Sequence, residues 1–387
     1  MEIEQVGLSP ADTGRIRACF EVMLAAERDD HPEEPSFTEQ PFTGWMTVGW
    51  DGSAREVWLA TDQGQAVGWC RLDLPARENL DQGGLEIVVH PAARQRGIGR
   101  ALLQHAAGRA AGHGRTVLNG GARDGSPGEA FARTAGAKPG LVDIQRMLDI
   151  GKLEKGKLAR LRGPAERAAA GYSLVSWVGP VPEEFIEQTA AVYNAMADAP
   201  RDPEIAHEEW DAQRVRERVN DLRPHYGMRD YTVAARHDDT GELAALTEMS
   251  VDPAEPGWGF QVFTVVARSH RGHRLGLLLK IAMMELLATT EPQLERIVTW
   301  NGQGNTHMIA VNEAMGYTVL GPPSSKWRTL VATWSAGALC LTVTASGNGQ
   351  SPESTAFDST RAEGAAPAAV AIARSTAITA SRVTPAN

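Results

Sequence analysis

Six consecutive residues, Arg94-Gln95-Arg96-Gly97-Ile98-Gly99, have the composition of a polyanion trap. Glycines let backbone N–H groups approach phosphate oxygens closely, and a helix that starts there adds its partial positive charge. The preceding run, Leu85 to Val89, is apolar and reads as a strand, while Ile98, Ala101, Leu102 and Ala106 recur at helical spacing. The segment is therefore strand, glycine turn and helix N-terminus, with Arg94, Arg96 and Arg100 beside a site sized for a pyrophosphate. A plain strand-to-helix connection would use similar residues, so the turn alone does not decide.

Its repetition does. Arg271-Gly272-His273-Arg274-Leu275-Gly276 follows another apolar run, Phe260 to Val266, and opens a second helical pattern through Leu275, Leu278, Leu279, Ala282, Met283 and Leu286. Each copy continues into a strand, a short helix and a corner of glycine plus hydrophobe, Gly136-Ala137 and Gly316-Tyr317. A matched order at matched spacing is an internal repeat.

The elements that must hold these turns divide the chain in two. At 387 residues it suits two domains, read as 1–150 and 171–335, with 151–170 as a linker. Residues 345–387, rich in Ser, Thr, Ala and Gly, are expected to form no packed fold. In the first domain a strand at Glu2 to Gly7 leads to a helix starting at Ser9-Pro10. The acidic stretch Glu27 to Pro35 reads as a solvated turn, or else as a rim that attracts an ammonium group. A hairpin turns at Asp62-Gln63-Gly64, and the strand, turn and helix follow. The second domain restarts at Tyr172 to Trp177 and repeats this order up to a last strand at Tyr317 to Leu320.

A net charge of −10 argues against a nucleic-acid partner held by phosphate contacts and is compatible with a cationic substrate. Cys19, Cys70 and Cys340 lack metal-ligand spacing, so neither a metal nor a disulfide framework is expected. With neither a signal peptide nor a long apolar run in the sequence, no membrane partner is expected and the cytoplasm is the expected location.

Together these residues resemble the GCN5-related N-acetyltransferase (GNAT) superfamily, in particular its tandem members, over about residues 1–335. Arg94 to Gly99 match that family's pyrophosphate signature fully. The resemblance implies an α/β (α+β) fold in which each domain is a mixed, splayed central sheet flanked by helices. It implies acetyl-CoA as co-substrate, with its pyrophosphate on Arg94, Gln95, Arg96, Gly97, Ile98, Gly99 and Arg100 in the first copy and on Arg271, Gly272, His273, Arg274, Leu275 and Gly276 in the second. Its pantetheine arm would run along Ile87, Val88 and Val89, or along Val265 and Val266. Asn305 resembles the family side chain that meets this arm. Two departures stand out. Arg274 replaces a usual glycine, which predicts a weaker second turn and a first domain that binds cofactor more reliably. The family's tyrosine, which protonates the departing thiolate, is replaced by Ala132 and Asn312.

Acyl transfer to an amine needs the amine neutral, hence a base or a water chain. Glu86, at the start of the strand before the first turn, is the family-like candidate, and in the second domain Glu248, on the expected third strand between Leu246 and Met249, is placed to bind substrate or act through water. Gln261 and Thr264 are weaker candidates because neither is a base, and His270 and His273 are placed to touch phosphate. The expected activity is acetyl transfer to a primary amine of a small molecule by direct attack in a ternary complex, in a monomer or homodimer. The alternatives are transfer of a larger acyl or aminoacyl group, and acyl-CoA binding without turnover.

Overall fold

The computed structural model describes residues 1–335 apart from 10, 11, 50, 200, 201 and 203. The expected unstructured tail and Cys340 lie outside the described residues. The first half runs β1 (Glu2–Val6), α1 (Thr13–Asp30), α2 (Glu39–Thr47), β2 (Ala54–Asp62), β3 (Gln65–Leu74), β4 (Gln82–Val89), α3 (Ile98–Gly112), β5 (Val117–Arg123), α4 (Pro127–Thr134) and β6 (Lys138–Asp149). After α5 (Lys157–Ala168) come β7 (Tyr172–Val178), α6 (Ile186–Asn194), α7 (Ala212–Arg214), β8 (Arg229–His237), β9 (Leu243–Val251), β10 (Trp258–Val266), α8 (Leu275–Thr290) and β11 (Arg296–Gly302). The described chain ends with α9 (Thr306–Met315), β12 (Thr318–Val319), β13 (Ser324–Leu330) and α10 (Ala332–Ser335).

Local chemistry accounts for several boundaries. The β2–β3 hairpin turns on Gln63 and Gly64, both at positive φ, a two-residue geometry whose twist matches that of the strands. Helix α4 starts at Pro127, where proline's missing N–H costs nothing, and the Ser126 side chain accepts from the Glu129 N–H. Helix α1 begins later than Ser9-Pro10 suggests: the Asp12 N–H bonds the Ser9 carbonyl in a turn, and regular helix opens at Thr13.

All the longer strands join one mixed sheet, in the order β1-β2-β3-β4-β5-β13-β6-β11-β10-β9-β8-β7, with β12 beside β6. Only β4–β5 and β10–β11 are parallel. The sequence division at 150 therefore needs correcting. Strand β6 leaves the first half and pairs with β11, where Leu148 is fully buried in the second half's core. Strand β13, absent from the sequence expectation, returns from the end of the second half to pair with β5, and Val331 just beyond it joins the first half's core. Strands β6 and β13 also pair with each other. The first half thus keeps five strands of its own and the second keeps five and the short β12, and each completes its sheet with a strand from the other.

The span read as a linker is also structured. Helix α5 packs against α8, and Ala165 and Ala169 are buried in the second core. Among the described residues no helix is long and apolar enough to cross a membrane.

Candidate active site

Two clefts open where parallel strands separate. Strand β4 pairs with β5 only through Gln82, Gly83 and Gly84, opposite Val117, Leu118 and Asn119. Strand β10 pairs with β11 only through Trp258, Gly259 and Phe260. Beyond those points the backbone of β4 or β10 loses a partner on one side, leaving N–H and C=O groups for an extended ligand. The first cleft is about 430 Å³ and the second about 780 Å³.

At the mouth of each lies a glycine turn, and the two turns share one backbone shape. In the first, Gln95 and Gly97 are left-handed, with φ of 61° and 82°; in the second, Gly272 and Arg274 are, with φ of 91° and 54°. Each turn places its glycine at one of two left-handed positions, and they choose opposite ones. Arg274 therefore keeps the turn that its side chain was expected to spoil, at a strain of about 1–2 kcal/mol.

The first arginine of each turn braces it in the same way. Arg94 donates from Nε to the Val89 carbonyl at 3.3 Å and from its other nitrogens to Asp29 and Asp30 at 2.7–3.0 Å. Arg271 donates from Nε to the Val266 carbonyl at 3.4 Å and pairs with Asp198 at 2.7 Å. Not every expected residue reaches a cleft. Arg96 is turned to Asp62, and His273 has its Nδ1 3.2 Å from the Ala168 carbonyl. The other expected turn and strand residues, Ile87, Val88, Val89, Gln95, Gly97, Ile98, Gly99 and Arg100 in the first half and Val265, Val266, Gly272, Arg274, Leu275 and Gly276 in the second, line their clefts.

The first cleft carries carboxylates and aromatic rings. Glu86 lines it, half-buried, as do Glu27, Asp30 and His31 of the acidic stretch, so that stretch is a cleft rim rather than a solvated turn. Phe37 and Trp45 form part of its wall and stack with ring centroids 5.8 Å apart. His31, Glu33 and Glu34 bring potential ligand atoms within 4.8 Å of one another. The Arg123 guanidinium sits on Glu34 and supplies the positive charge that an ion there would bring.

The second cleft differs. Glu248 is 1% exposed and does not line it; its carboxylate accepts from the Tyr193 hydroxyl and lies 3.9 Å from Arg223. That ionic enclosure removes Glu248 as a base open to substrate. Gln261 lines the cleft while its amide braces the strand, donating to the carbonyls of Glu248 at 2.6 Å and Phe263 at 3.1 Å and holding the bulge at which β10 shifts register against β9. Asn305 faces the cleft while its side chain caps α9 by accepting from the Met308 N–H at 3.2 Å. His270 lines the cleft, with its Nδ1 2.9 Å from the Tyr172 hydroxyl.

Three further residues meet only in the folded chain. Lys280, 2% exposed on α8, donates to Asn312 Oδ1 at 2.7 Å, and Asn312 donates in turn to Asn301 Oδ1 at 2.8 Å. Burial pushes the Lys280 pKa down to about 7. The sequence does hold one signal of this group, since Lys280 interrupts the otherwise apolar face of its helix. Trp300 lines both clefts, and between them Lys326 of the first bonds Asp143 of the second at 2.7 Å.

Residues 53–128 match the acetyltransferase (GNAT) domain model. A tandem GNAT protein from the clavulanic acid biosynthesis pathway is similar over 85% of this chain and 98% of its own, with 28% identity and a TM-score of 0.70. Residues 53–128 therefore carry a GNAT domain, and the chain as a whole has the fold of that tandem GNAT protein. A GCN5-related N-acetyltransferase from Sphaerobacter thermophilus shares the fold of this chain at a TM-score of 0.59 and 17% identity, covering 85% of this chain and 96% of the other. Among curated proteins, none matches in sequence. The domain match and the shared fold support acyl transfer in general as the activity of this chain.

Proposed function

We propose that this protein transfers acetyl from acetyl-CoA to the primary amine of a small molecule by direct attack in a ternary complex, with the transfer itself in the second cleft. The carrying observation is that the second turn has the same left-handed backbone as the first, beside a larger cleft. Supporting it, Arg274 is exposed at that turn and, among the described residues, is in no ion pair. At the first turn Arg94 is taken by two aspartates and Arg96 by a third, while Arg100 lines the cleft.

In this reading the amides of each turn and the N-terminus of α3 or α8 hold the pyrophosphate, and the unpaired edge of β4 or β10 aligns the pantetheine arm. The acyl-CoA is a substrate, consumed in each turnover. The amine nitrogen attacks the thioester carbon, a C–N bond forms, and the C–S bond breaks. The acceptor's proton leaves through water, because Glu248 is enclosed. Glu86 is the corresponding proton acceptor if the first cleft also turns over. The volume of the second cleft favours a second reading, an acyl group larger than acetyl.

The test is thiol release from acetyl-CoA and from longer acyl-CoAs across a panel of small amines, with the product identified by mass. Amine-dependent release supports the enzyme. Binding of acyl-CoA without release under any acceptor leaves a binding protein.

A further inference from the structure

Helix α8 carries a cation where its neighbours are apolar. Lys280 lies among Leu279, Ile281, Met283 and Met284, all buried. Its counterpart in the first half, at the 177-residue repeat offset, is Leu103, 3% exposed. A buried ammonium is costly unless a negative group compensates it. The partners in place are neutral: the Asn312 oxygen at 2.7 Å and the ring of Tyr317, whose centroid is 4.9 Å from Nζ. The Tyr317 hydroxyl is itself kept neutral by burial. The two acids in the cleft are engaged elsewhere, Asp143 with Lys326 and Asp198 with Arg271, each at 2.7 Å. His270, His307, Arg271 and Arg274, the remaining ionisable groups of the cleft, are neutral or cationic.

The missing negative group has a natural source. Gly276 and Lys280 are four residues apart, so they share the face of α8 that lines the cleft behind the anion turn. Asn312 occupies one of three ammonium donors, and the Asn312–Asn301 bond fixes which way its amide points. A lysine so held, on the wall of a cleft that opens at an anion turn, can meet an anion generated inside it.

Resting on the proposed acyl transfer, we propose that Lys280 is a catalytic residue of the second cleft, the proton donor to the sulfur that leaves. As the C–S bond breaks, sulfur takes the electron pair, an Nζ–H proton passes to it, and free thiol results. Lys280 is left as a neutral amine and regains its proton from water. A proton affinity near neutrality suits this, since it lies below that of a free thiol, about 8.5.

The experiment combines the pH profile of kcat with CoA binding in the wild-type protein and in Lys280→Met and Lys280→Arg. Lys280→Met is expected to lower kcat about 100-fold or more, with KM for acyl-CoA and the affinity for CoA changed only a few-fold. In the wild type kcat should fall as pH rises through the titration of Lys280, and Lys280→Met should lack that falling limb. Lys280→Arg should also lack it and still turn over slowly, because guanidinium holds charge without giving up a proton. The same falling limb in wild type and Lys280→Met, or turnover within threefold of wild type, overturns the donor role and leaves the acyltransferase reading standing. An acyl group found on Lys280 by mass also overturns it, making the residue a nucleophile. Failure of the wild type to bind CoA overturns both.

Discussion

The two clefts are built on one plan and furnished differently. Both have a parallel strand pair that parts after three residues, a turn with two left-handed positions and an arginine tied to the strand before it. At the first turn Arg94 and Arg96 are paired with Asp29, Asp30 and Asp62, and the cleft wall carries carboxylates and stacked aromatic rings. In the second cleft the turn leads to a lysine bonded to Asn312, whose amide is in turn bonded to Asn301. Backbone geometry has been kept in both halves, while the side chains that would act on a thioester have diverged. The teaching is that a signature residue and its conformation are separable. Arg274 departs from the first and keeps the second.

Substitutions at equivalent positions can break this comparison. The largest effect is expected from Gly276→Glu, which places a carboxylate where pyrophosphate is to bind. Like-charge opposition of several kcal/mol should reduce thiol release at least about 100-fold. Gly97→Glu should remove one of two acyl-CoA binding events in a calorimetric titration and cost less turnover. If the two variants exchange these outcomes, transfer belongs to the first cleft.

Next in size is a test of whether the halves are independent. Trp327 of β13 is 3% exposed within the first sheet although it comes from the end of the second half. Trp327→Ala should cost about 3–5 kcal/mol and lower the temperature of one shared unfolding transition. Two transitions, only one of them shifted, would show that the exchanged strands do not couple the halves.

A smaller effect separates Lys280 from Leu103. The folded state holds the lysine at about 7, below its ordinary 10.5, so between those values the unfolded chain binds more protons and stability from this residue rises with pH. The cost is full below pH 7. Lys280→Met should therefore stabilise the protein by roughly 1–3 kcal/mol at pH 6, after the lost Asn312 bond is counted, and the gain should vanish toward pH 10.5. A gain independent of pH in denaturant melts would rule out a buried, titrating amine. The smallest effect is expected from Arg274→Gly. Relief of left-handed strain, offset by the freedom of an unfolded glycine, should leave a rise of under about 1 kcal/mol in urea midpoints. A clear loss would mean that the arginine side chain stabilises its own turn.

Much of this was legible in the amino-acid order. Strands such as Leu243–Val251 and the helix Leu275–Thr290 carry strong apolar patterns, and the repeated turns mark the cleft mouths. What stayed hidden was non-local. The stretch Ser324–Leu330 is short and polar and follows a proline pair, and nothing in its pattern says that it pairs with β5 across some 200 residues. Alternation could not decide whether a carboxylate faces the cleft, which is why Glu248 looked available until Tyr193 and Arg223 closed around it. Lys280 was visible as a charge on an apolar helix, but its partner Asn312 comes from α9, and Asn301, which bonds Asn312, from β11.

The exchange of β6 and β13 also has a consequence during synthesis. When β5 leaves the ribosome its partner strand is about 200 residues from being made. At roughly 5–20 residues per second, the nascent first half waits about 10–40 s with an open, hydrogen-bond-hungry edge. Throughout that interval β6 of the same chain, or β5 of a neighbour on the same messenger, can reach the edge first. Chaperone occupancy of the growing chain should therefore peak between the emergence of residue 123 and that of residue 330, and fall when the last strand arrives.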